Sequence, residues 1–134
     1  MSTRAGMWID LRKAVIVMIS DVGSTTQTVE SDAERHVRFS SAGSRNGAHE
    51  PARGGAEDRR ERRFEGQLAH YYDEVIGIVR DAETLLIFGP GEAKGQLRHR
   101  LEQQGLSGQI VEVSTEDKMT VPQIEARVRD RSET

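Results

Sequence analysis

The chain has 134 residues, 35% of them hydrophobic and 31% charged, with a net charge of -3 and no cysteine. That length suits one domain with a real core, while the missing cysteine excludes disulfides and thiolate metal sites. The acidic balance leaves any nucleic-acid role to a local basic patch, with no DNA partner expected. The longest apolar run, Ala14–Ile19, is too short to cross a membrane, and the opening MSTRAGMW lacks the apolar segment of a secretion signal. A soluble cytoplasmic protein without a membrane partner is the expectation.

Met7-Trp8-Ile9 is a short apolar run, and Ala14–Ile19 is a second, rich in valine and isoleucine. Joined by Asp10–Lys13, they predict an antiparallel hairpin. Asp21-Val22-Gly23-Ser24 supplies the next turn, and the β-prone Thr25–Glu30 continues the sheet as an edge strand. His36–Phe39 either extends that strand or forms a short one of its own. From 40 to 56 the chain turns small, polar and glycine-rich without periodicity, which predicts a mobile loop within the domain. From about Asp58 to Asp81 the pattern is helical. Phe64, Leu68, Tyr71, Tyr72, Val75, Ile76 and Val79 recur at spacings of three and four and share one face.

Thr84–Phe88 is a continuous apolar run, the mark of a parallel strand covered on both faces. Gly89-Pro90-Gly91 ends it, because glycine permits a tight turn and proline has no N–H for a ladder. Glu92 to about Gln104 reads as a helix with Ala93, Leu97 and Leu101 inward and Gly105 at its C-terminus. Gln109–Val113 is then a strand parallel to Thr84–Phe88, reached by a right-handed crossover. Val121, Ile124 and Val128 mark a last helix, with Thr120 as N-cap and Pro122 in its first turn. The expected architecture is a single α/β domain over residues 1–134, with a mixed sheet of five strands.

This order of elements, with Trp8-Ile9-Asp10, the loop Arg53-Gly54-Gly55-Ala56 and the stretch Leu86–Lys94, resembles the middle domain of the archaeal and eukaryotic peptide-chain release factor and of its ribosome-rescue relative Pelota. Asp117-Lys118-Met119-Thr120 resembles the small bacterial members of that superfamily. The resemblance implies a ribonuclease-H-like three-layer fold and the ribosome or tRNA as partner. It also sets Gly54, Gly55 and Ala56 where release factors carry Gly-Gly-Gln. The glutamine is absent, as it is in Pelota, so the resemblance implies a non-catalytic role.

Two groups of residues carry candidate chemistry. Arg53, Arg59, Arg60, Arg62 and Arg63 fall within eleven residues and, with Gly54 and Gly55, form a candidate RNA contact, since the guanidinium fork matches phosphate oxygens. The plainer reading is a solvated helix end with ion pairs such as Asp58–Arg62. Loops after parallel strands lie on one edge of a sheet, where open α/β folds place ligands. That groups Gly89, Gly91, Glu92, Lys94, Asp117 and Lys118 as a candidate pocket, unless these charges merely pair with one another. The glycine turn does not match either phosphate-binding fingerprint. No cofactor or resident metal is expected, and His36, His49, His70 and His99 show no ligand spacing. Two other function classes stay open. One is a self-associating interaction module without RNA. The other is an enzyme, either a residual peptidyl-tRNA hydrolase or a metal-dependent nuclease using Asp10, Glu92 and Asp117.

Overall fold

The computed structural model describes residues 3–31 and 53–132. Five strands form one mixed sheet: β1 (Arg4–Ile9), β2 (Lys13–Ser20), β3 (Gly23–Glu30), β4 (Thr84–Gly89) and β5 (Ile110–Thr115). Among the described residues three helices join them: α1 (Arg53–Val79), α2 (Ala93–Gln103) and α3 (Val121–Ser132), with a 3-10 turn at Ser107–Gln109. The strand order is β3-β2-β1-β4-β5. β1 pairs antiparallel with β2 and parallel with β4, and β4 pairs parallel with β5. This is the expected α/β, ribonuclease-H-like arrangement.

Helices cover both faces. On one, Tyr71, Val75 and Val79 of α1 and Leu97 and Leu101 of α2 pack on Met7, Ile9, Ile16, Leu85 and Ile87. On the other, Ile124 and Val128 of α3 pack on Trp8, Val17, Leu86 and Phe88. Alternate β4 side chains thus enter opposite cores, which is why the run Leu85–Phe88 is apolar without alternation. α3 sits close on β1 because Gly6 carries no side chain. A Cβ there would strike Val128 Cγ2 and come within 3.1 Å of Ile124 Cγ2.

Turns and caps follow the local sequence. Asp10 Oδ1 accepts the Arg12 and Lys13 amides, each at 2.8 Å, and folds the β1–β2 link. At the end of α2, Gly105 takes φ 77°, its N–H donates to Glu102 O, and the Leu106 N–H donates to Leu101 O. That is the paired closure a left-handed glycine permits. Thr120 caps α3 reciprocally: Gln123 N–H donates to Thr120 Oγ1 at 3.3 Å, and Thr120 N–H to Gln123 Oε1 at 2.8 Å.

The structure differs from the sequence-based expectation in three places. β1 runs from Arg4 rather than Met7, and it is the centre of the sheet. α1 begins at Arg53 rather than near Asp58, so Gly54, Gly55 and Ala56 belong to a helix and not to the expected loop. Glycines oppose helix, but extending a helix already nucleated costs far less than starting one. β5 ends at Thr115, two residues beyond the expected strand. His36–Phe39 and the 40–52 part of the expected loop lie outside the described residues.

Candidate functional site

The carboxyl ends of β1, β4 and β5 lie along one edge, as parallel pairing demands. Gly89 closes β4 against Ile9. A Cβ on Gly89 would collide with the Ile9 carbonyl oxygen and lie 3.1 Å from its carbon. Gly91 follows in the left-handed region at φ 64°. Lys94 donates from Nζ to Gly91 O at 2.6 Å, which ties the turn to the first turn of α2. Gly89 therefore serves close backbone packing, whereas Gly91 has open space around it and serves the left-handed turn.

The loop after β5 meets this turn. Glu116 N–H donates to Gly89 O at 3.1 Å, and Trp8 Nε1 donates to Glu116 O at 3.1 Å. Arg127 of α3 then binds across the loop, with Nη1 on Glu116 at 3.1 Å and Nη2 on Glu112 at 2.6 Å, its guanidinium 4.7 Å from the Phe88 ring centre. Ser114 Oγ donates to Glu112 at 2.6 Å. This hydroxyl, with Arg127 and Arg131, holds the Glu112 carboxyl below its usual range, against the opposing effect of burial. The neighbouring acids raise the Arg127 pKa, Glu116 first, although burial opposes them. Sequence reasoning missed this cluster. Its members are spread over strand, loop and helix, with no motif linking them.

The six candidate pocket residues do not all converge. Gly91, Glu92 and Lys94 line a groove of about 750 Å³ between α1 and α2, with Leu68, Tyr72 and Gln96. Asp117 and Lys118 are exposed on the loop leading to α3 and do not line it. The two loops share an edge but feed helices on opposite faces, and that separates their charges. Tyr72 donates to Gln96 Oε1 at 2.7 Å in the groove wall. Burial, helped by the Glu92 charge and opposed by Arg100, pushes its phenol up to about 12. A second hollow of about 580 Å³ holds Asp10 and Glu92 but not Asp117. Asp10 spends Oδ1 on turn amides, and its carbonyl accepts the Tyr71 hydroxyl at 3.0 Å. Among the described residues, no three histidine, aspartate or glutamate side chains gather as metal ligands would.

The arginine group lies at the start of α1. Among the described side chains of that helix, which start at Arg62, the first buried one is Leu68, with Phe64 half-buried against the core. The preceding stretch Arg53–Arg63 is thus helical backbone leading into the packed part, and Arg62 and Arg63 are exposed. The side chains of Arg53, Arg59 and Arg60 lie outside the described ones.

No protein-family model and no curated protein sequence matches this chain. Solved structures do. The fold is that of a part of Pelota. Pelota from Thermoplasma acidophilum superposes with a TM-score of 0.56 at 15% identity, over 96% of this chain and 32% of its own. Pelota from Archaeoglobus fulgidus gives 0.56 at 13% identity, over 96% and 31%. An archaeal translation termination factor reaches a TM-score of 0.47 at 11% identity, over 98% and 34%. The chain spans about a third of the length of the Pelota proteins it resembles.

Proposed function

We propose that this chain is a non-catalytic, translation-associated protein equivalent to the middle domain of Pelota, and that it contacts the ribosome or tRNA through the start of α1. The observation that carries this reading is the superposition on two Pelota structures over nearly the whole chain. The contact residues are Arg53, Gly54, Gly55, Arg59, Arg60, Arg62 and Arg63. Helical backbone supports the assignment in one respect. It sets positions 62 and 63 three and four residues after 59, the spacing at which each neighbours 59 on the helix surface. Ala56 stands where a release factor has its glutamine, so the reading includes no ester hydrolysis.

The test is co-sedimentation with ribosomes and separated subunits across a salt series. Phosphate contact predicts binding that falls steeply with salt. Changing Arg59, Arg60, Arg62 and Arg63 to alanine lowers the slope of log K against log salt by about 0.7–0.9 for each phosphate that is no longer neutralised. Absence of binding at low salt, or an unchanged slope in the fourfold variant, sinks the proposal. A peptidyl-tRNA hydrolysis assay separates it from the enzyme reading, which needs release above the uncatalysed rate.

A further inference from the structure

The two edges of the sheet are built differently. β5 is guarded. A bulge interrupts its pairing between Leu85 and Leu86, Arg131 donates to the Val111 carbonyl at 3.0 Å, and the charged Glu112 and Arg127 stand over it. These are devices that keep an edge from pairing with another chain. Among the described residues β3 has none of them. It is eight residues long, GSTTQTVE, paired without a bulge to β2 from Gly23↔Ser20 to Glu30↔Lys13. It holds no proline and no lysine, and its one charge is the terminal Glu30. Gly23 to Thr28 are exposed on both faces, and threonine pairs well across strands.

The backbone groups of β3 that point away from β2 can be named. Ser31 N–H donates to Arg12 O at 2.8 Å, in register with the ladder. Antiparallel ladders alternate residue by residue, so Val29, Gln27, Thr25 and Gly23 turn their amides to β2. Ser24, Thr26 and Thr28 turn theirs outward. Among the described residues no strand pairs with that side.

We propose that β3 is the docking edge for a second copy of this chain, the two β3 strands pairing antiparallel across a twofold axis at Thr26 into one sheet with five strands from each copy. Thr26 then faces the partner's Thr26, and Ser24 faces the partner's Thr28. No like charges meet along the paired stretch. Charge also chooses the direction. Asp21 marks the hairpin tip, while Lys13 and Arg12 stand at the far end beside Glu30. Antiparallel pairing brings each acidic tip to the other copy's far end, where Arg12 and Lys13 outnumber Glu30, whereas parallel pairing sets the acidic tips side by side. A strand edge this short buries less than the roughly 1,200 Å² of a stable complex, so the dimer is weak and grows with concentration.

The full chain tests this in two ways. Sedimentation equilibrium of the wild type shows a mass rising from 15.0 kDa toward twice that value with concentration. Thr26→Lys stays at 15.0 kDa, and so does Thr26→Pro, which removes only an outward N–H and is tolerated on an edge. Because the chain has no cysteine, Thr26→Cys adds a single thiol on the axis. Facing residues in a hydrogen-bonded pair hold their Cα atoms about 5.5 Å apart, within the roughly 4.4–6.8 Å that a disulfide spans. Mild oxidation therefore gives a covalent dimer faster than in Val22→Cys, at a site that is itself 90% exposed. A wild type that remains at 15.0 kDa up to about 1 mM, a Thr26→Lys protein that dimerises as well as the wild type, or equal cross-linking of the two cysteine variants overturns the proposal.

Discussion

Gly89→Ala tests whether the closure of β4 on β1 organises this fold. The new methyl collides with the Ile9 carbonyl oxygen and lies 3.1 Å from the carbonyl carbon and 3.3 Å from the nitrogen, where ordinary contact is 3.4–4 Å. Its neighbours are backbone, and Ile9 is fully buried, so no side chain can swing away. Relief requires β1 and β4 to part at the end where Trp8 pairs with Phe88. Forcing extra volume into packed structure costs about 1–3 kcal/mol, and a non-glycine residue at this φ of 156° costs on the order of another 1–3 kcal/mol. The expected loss is about 2–6 kcal/mol, a large part of the roughly 5–15 kcal/mol that holds a domain folded. Urea unfolding followed by tryptophan fluorescence measures it, since Trp8 is the single tryptophan. The midpoint falls by about 1–3 M at a slope of roughly 2 kcal/mol per M. Gly95→Ala is the control: it lies inside α2 with open space where the methyl goes, and it gains about 0.5–1 kcal/mol from helix propensity. A Gly89→Ala loss under about 0.5 kcal/mol, or equality with the control, refutes the reasoning.

Two predictions concern titration. The chain's tyrosines are Tyr71 and Tyr72. Burial raises the first well above the ordinary 10.0, with the Asp10 and Tyr72 charges adding, and carries the second to about 12. Ultraviolet absorbance should therefore show no phenolate step near pH 10 in the folded protein, and one accompanying unfolding. Because the folded state holds these protons more tightly, their contribution is complete below the unfolded value and is lost as pH rises above 10; an ordinary step near pH 10 contradicts this. Glu112 titrates in the opposite sense. Its folded pKa lies below the usual 4.5, so its stabilisation is present above that pH and is lost as pH falls through the lower folded value. Glu112→Gln should flatten the acid limb of a stability-against-pH curve. Curves that stay parallel down to acid unfolding dispose of that assignment.

Much of the fold was legible because it is set over a few residues. Three- and four-residue spacing from Phe64 to Val79 turns one face of α1 inward whatever it meets. Gly105 and Thr120 end and begin their helices through bonds to residues at most five positions away. The continuous run Leu85–Phe88 marks a strand covered on both faces, and the structure fills both. The candidate site was legible only in part. The sequence placed both loops on one edge but not the faces they leave by, so it grouped Asp117 and Lys118 with Lys94.

What only the tertiary structure decided was choice among distant neighbours. β1 is central because β2 and β4 both select it. α3 settles where Gly6 lets it approach. Arg127 reaches Glu112 and Glu116 because the loop and helix after β5 fold back over Phe88. Such pairings depend on shapes and charges made complementary by the whole chain, and no local pattern encodes them. The sequence alone determined which segments become helix or strand, because backbone hydrogen bonding and side-chain periodicity act at short range. Packing at long range determined which segments touch.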